Sequence, residues 1–80
     1  MAKAQHATRY KRLPGLLRQM RLDAGLTQRA LALKLTVGYA WVYKSEVGDR
    51  RVDLSEFCDW AKACRVDPLD AVASFLGKPH

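Results

Sequence analysis

Between positions 39 and 51 the chain carries Tyr39, Tyr43, Lys44, Arg50 and Arg51. Lysine and arginine neutralise phosphates, arginine donates through a rigid fork, and tyrosine offers an apolar ring with a polar tip. This is the chemistry of contact with phosphates and base edges rather than of bond making. Asp53, Glu56 and Asp59 could suggest paired carboxylates for acid–base work. The first two fit a helix capping box and Asp59 a solvated face. No nucleophile or metal cluster joins them, so neither catalysis nor a cofactor or metal is expected. His6 and His80 lie near opposite ends. On one helix Cys58 and Cys64 would point about 120° apart, which prevents them from bridging or sharing a metal. They are expected as small core or boundary side chains in a reducing cytosol.

These residues need helices to position them. Leu13, Leu16, Leu17, Met20 and Ala24 follow a 3-4 spacing, with Pro14 in the first turn and Gly25 as the stop. Thr27 caps a second helix with Ala30, Leu31 and Leu35 on one face. Thr36 to Gly38 form a short turn, and a third helix over Tyr39–Glu46 ends at Gly48. Asp53 and Glu56 form a capping box for a fourth helix, whose apolar side is Leu54, Phe57, Trp60, Ala61 and Cys64. Asp67-Pro68 starts a fifth with Leu69, Val72, Ala73 and Leu76, ended by Gly77. Trp60 and Phe75 read as core or dimer interface. No alternating strand pattern and no repeat appear, so the fold is all-α with five short helices. The expected domain is 13–77, after a basic, flexible arm (1–12) and before a tail (78–80). The arm follows a DNA backbone or enters the minor groove, or it is a frayed end without a role.

Eighty residues make one small domain, with little room for a deep pocket. Its 49% hydrophobic and 28% charged residues are ordinary for a globular protein. The net charge of +6 is uneven. Residues 1–51 hold 11 Lys/Arg against 3 Asp/Glu, a net of +8, while residues 52–80 hold 3 against 5, a net of −2. The basic half is the half with the closely spaced helices two and three, so a face that attracts polyanions is expected. Apolar runs fall far short of the roughly 18 residues that span a bilayer, and no secretory leader is visible. Two helices so close, the second ending in glycine and two arginines, predict a helix-turn-helix with its second helix in DNA.

The order Leu26-Thr27-Gln28, Leu31-Ala32, Val37, Trp41-Val42-Tyr43-Lys44, Glu46 and Gly48-Asp49-Arg50-Arg51 resembles a lambda-repressor-like helix-turn-helix domain of the Xre/Cro type. The likeness runs over about residues 13 to 76. It implies a compact five-helix fold with helices two and three as the DNA-binding unit. It implies a bacterial or phage cytoplasmic regulator that joins the nucleoid when bound and is usually a homodimer. By that resemblance Gln28 holds a phosphate, which agrees with the anion affinity of a helix N-terminus. Gly38, Tyr39, Ala40, Tyr43 and Lys44 belong to the reading surface, and Arg50 and Arg51 touch the backbone. Arg21 and Glu46 form a salt bridge that orients the reading helix.

The chain departs from the family pattern at several positions. Thr36 stands in place of the turn glycine, and Gly38 in place of a Ser or Thr cap. Ser45 replaces a buried Ile or Leu, and Tyr43 and Val47 replace polar residues. Tyr43 or Val47 is expected to fill part of the space that Ser45 leaves. The tyrosines serve thymine methyls or phosphates, or the aromatics serve a protein partner, or Trp41 simply packs on helix two or four. Lys44, Arg50 and Arg51 are DNA contacts or solvated cations. The expected function is a sequence-specific transcriptional regulator, a repressor, bound to double-stranded DNA as a homodimer through helix five. The alternative is a protein-interaction module, such as an antitoxin, that keeps the fold without specific readout. With no room for a ligand domain, control would come from abundance, a protein partner or proteolysis.

Overall fold

The computed structural model describes residues 9–77. Among them run helices α1 (Arg12–Asp23), α2 (Gln28–Leu35), α3 (Tyr39–Val47), α4 (Leu54–Ala63) and α5 (Pro68–Leu76). No strand occurs among the described residues.

Side-chain caps set three of the helix starts. Thr27 Oγ1 accepts the Ala30 N–H, Asp67 Oδ1 accepts the Leu69 N–H, and Asp53 with Glu56 forms the full capping box. Each cap satisfies a donor that the first turn leaves without a helical partner. Gly38 starts α3 with no side-chain cap.

The core takes one large or tightly packed side chain from each helix. Leu17, Leu31, Val42 and Trp60 are fully enclosed, and Ala71 brings α5 against them. Trp60 needs a partner for its N–H at this depth, and the Leu17 carbonyl accepts it at 3.0 Å. Phe75 is half-buried at the edge of this core.

The folded domain begins before the expected boundary at Leu13. Arg9 and Tyr10 are helical. Tyr10 Oη accepts the Val52 N–H at 2.9 Å, and Arg12 Nη1 donates to the Phe75 carbonyl at 3.2 Å. Hydrogen bonds from within residues 9–12, which the sequence assigns to the arm, thus reach the loop before α4 and the end of α5. The rest of the expected arm, 1–8, and the expected tail, 78–80, lie outside the described residues.

The turn into α3 is strained. Thr36 sits in the left-handed region with φ of 59°, where a β-branched side chain crowds its own backbone. The position suits glycine, and Thr36→Gly relieves about 1–2 kcal/mol of crowding. Part of that is offset by about 0.4–1 kcal/mol of added freedom in the unfolded chain. A net gain of about 0.5–1 kcal/mol is expected, seen as a rise of a few degrees in Tm by circular dichroism.

Candidate nucleic-acid interface

At about 100° per residue, α3 divides cleanly into two faces. Val42, Ser45 and Glu46 point inward. Tyr39, Ala40, Tyr43, Lys44 and Val47 are exposed along an arc of about 140°. Of the residues expected at the reading surface, Tyr39, Ala40, Tyr43 and Lys44 lie on this solvent-facing strip, and Gly38 is exposed just before it as the N-cap. Tyr39 and Tyr43 stack within it, ring centroids 6.4 Å apart and planes 21° from parallel. The Arg29 guanidinium, from the first turn of α2, lies 4.6 Å from the centre of the Tyr39 ring.

Two buried polar groups hold the inner face. Ser45 is enclosed, and its hydroxyl donates to the Trp41 carbonyl one turn back at 2.7 Å. The hydroxyl is thus satisfied without help from outside the helix. Tyr43 and Val47 remain 45% and 50% exposed, which corrects the expectation that one of them fills the space beside Ser45. Glu46 meets Arg21 as a bidentate pair, with Nε to Oε2 at 2.6 Å and Nη2 to Oε1 at 2.9 Å. Arg21 Nη1 also donates to the Leu26 carbonyl, and Gln28 Nε2 donates to Glu46 Oε1 at 3.0 Å. The carboxylate so links α1, the start of α2 and the end of α3, and its arginine partner reaches the loop after α1. The Glu46 bond raises the Arg21 pKa further, so the guanidinium stays charged despite its burial. Gln28, expected on a phosphate, has one amide N–H committed to this network.

The two arginines after α3 differ in setting. Arg50 is half-buried: its guanidinium lies 4.1 Å from the Trp41 ring centre, and Nη2 donates to Glu56 Oε2 at 2.7 Å. Trp41 in turn stacks on Trp60 of α4, with centroids 6.1 Å apart. Trp41 thus packs on the fourth helix, and Arg50 closes over it. Arg51 is exposed, its guanidinium 4.5 Å from the Tyr10 ring centre. Arg29 and Tyr10 were not among the expected site residues. Each meets its partner on another element, and neither belongs to a periodic pattern. Burial pushes the Cys64 thiol up to about 11, leaving it protonated and a poor nucleophile at neutral pH. No group of three or more metal-ligating side chains forms among the described residues.

A family model described as a helix-turn-helix domain matches residues 12–75. No curated protein matches the chain. Among solved structures, an XRE-family like protein from Pseudomonas syringae pv. tomato str. DC3000 is similar, with a TM-score of 0.86 and 34% identity over 95% of this chain and 93% of that one.

Glu46→Ala leaves Arg21 buried without its carboxylate, and a loss of about 3–5 kcal/mol is expected from chemical denaturation. Adding Arg21→Met should recover much of it, because the uncompensated charge is gone. Glu56 titrates differently. The hydrogen bond from Arg50, then that from the Asp53 N–H, holds its carboxyl below the usual carboxylate range. A lowered folded pKa contributes stability above the unfolded value, and that contribution is lost as pH falls through the folded pKa. The Tm gap between the wild type and Glu56→Gln should therefore close as pH is lowered from about 5 to about 3. A gap that stays constant would remove the Arg50–Glu56 pair as its source.

Proposed function

The chain belongs to the Xre-type family of helix-turn-helix domains, a class of DNA-binding regulators, and on that premise we propose that it is a sequence-specific transcriptional repressor acting as a homodimer in the cytoplasm. The observation that carries this reading is the exposed strip Tyr39, Ala40, Tyr43 and Lys44 on a helix whose opposite face is locked by the buried Glu46. A rigid helix with one free aromatic and cationic face is shaped for the major groove. Gln28, at the start of α2, and the exposed Arg51 flank that face as phosphate contacts. Arg50 acts mainly through Trp41 and Glu56, shaping the loop that presents Arg51.

One module with few base contacts binds weakly, so two copies on a pseudo-palindrome fit best, with half-sites about 10 base pairs apart or a multiple. The surface suited to pairing is α5. Leu69 is 79% exposed, Leu76 is exposed beside it, and Val72 and Phe75 lie half-buried below. An apolar strip on the last helix favours a partner over solvent.

Binding of random and selected duplexes across a salt series tests the proposal. A steep linear fall of log K with log salt is expected, with selected sites favoured by about 10³ or more. Salt-sensitive binding without preference would reject specific regulation, and no binding at low salt would favour a protein-interaction module. Lys44→Ala should lower affinity or alter the selected site. If it left both intact, the placement of α3 in the groove would be wrong.

A further inference from the structure

Arg29 occupies an unusual position for a cation. It lies in the first turn of α2, where the helix dipole disfavours positive charge, and no acidic residue accompanies it there. The other engaged arginines show what is missing. Arg21 is taken by Glu46, Arg50 by Glu56 and Arg12 by the Phe75 carbonyl. Among the described residues no acceptor takes the Arg29 guanidinium. What holds it is the Tyr39 ring at 4.6 Å, and Tyr39 is held in turn by its stack on Tyr43.

The result is a three-layer ladder of guanidinium, Tyr39 and Tyr43, on the outer surface where α2 meets the start of α3. All three side chains are exposed. A guanidinium resting on a ring keeps its N–H donors in its own plane, directed outward from the stack. Its fork matches the adjacent O6 and N7 acceptors of guanine, a pattern that the major groove displays for that base. The tyrosine rings behind it offer apolar surface to a neighbouring pyrimidine methyl.

Resting on the DNA-binding reading above, we propose that Arg29 is a specificity-determining residue supplied by α2: held on Tyr39, it reads one guanine in each half-site. The base-reading surface then spans both helices of the pair, and α2 contributes to sequence choice as well as to anchoring.

Site selection from random duplexes, followed by anisotropy titrations at several salt concentrations, tests this with the wild type, Arg29→Ala and Tyr39→Leu. Thermal melting of each variant confirms that it is folded. The wild type should select a guanine at one position per half-site and disfavour the other bases there by about tenfold or more. Arg29→Ala should abolish that preference, leave the others and keep the salt slope. Tyr39→Leu, which removes the platform, should weaken the same guanine preference. The proposal is overturned if Arg29→Ala weakens all duplexes alike and lowers the salt slope by about one, the behaviour of a phosphate contact. It is also overturned if the guanine preference survives either substitution. A wild type that selects no sequence at all would instead sink the regulator reading itself.

Discussion

The bidentate contact between Arg21 and Glu46 determines where α3 points. Both side chains are buried, so each charge depends on the other for its solvation. An enclosed carboxylate must have its oxygens satisfied, and here three donors from two side chains converge on it. Those donors come from α1 and the first residue of α2. The inward face of the exposed helix is thereby referenced to two other elements at once, and its free face inherits that orientation. Such a pair is a poor source of net stability but a strong source of geometry, because misalignment leaves a buried charge alone.

Around that pair, cations meet rings in three places among the described residues. Arg29 lies on Tyr39, Arg50 on Trp41 and Arg51 on Tyr10. The three differ in what holds the far side of the guanidinium. Arg50 has Glu56 there and is half-buried, while Arg29 and Arg51 face solvent. A chain with a surplus of positive charge can thus use one motif both to close its own surface and to present charge outward. Carboxylate supply separates the two uses, since Glu56 is already fixed by the Asp53 capping box. The capping box does more than start α4: it places the acid that holds Arg50.

Much of the frame was legible because it rests on local rules. Thr27, Asp53 with Glu56, and Asp67-Pro68 mark helix starts through bonds that span two or three residues, and these read directly from spacing. The 3-4 pattern located the inward face of α1 and, apart from the exposed Leu54, that of α4, but it missed on α5, where Leu69 is 79% exposed and Ala71, outside the pattern, is the buried residue. The Arg21–Glu46 contact was legible only through family likeness, since residues 25 apart share no local rule. Ser45 is buried as its position implied, but the exposed Tyr43 and Val47 do not fill the space beside it, and its hydroxyl is satisfied within its own helix at Trp41. Of the aromatic contacts, the packing of Trp41 on helix two or four was one reading that the sequence left open, but its partner there was not legible. Whether Trp41 meets Trp60, or Tyr10 meets Val52, depends on how whole helices cross. Arg29 is the clearest case: its ring lies on the next helix, and nothing in its own turn announces it.

The stacked tryptophans have one more consequence. Trp60 is sealed in the core with its N–H bonded to the Leu17 carbonyl, while Trp41 rides on α3, half-buried between Trp60 and the Arg50 guanidinium. They are the only two tryptophans in the chain. The domain therefore has a built-in optical gauge: one indole is fixed in the core, and the other is mounted on the helix that carries the exposed strip. Any tilt or slide of α3 relative to α4 changes the overlap of the two rings, and with it the emission, without a label being attached.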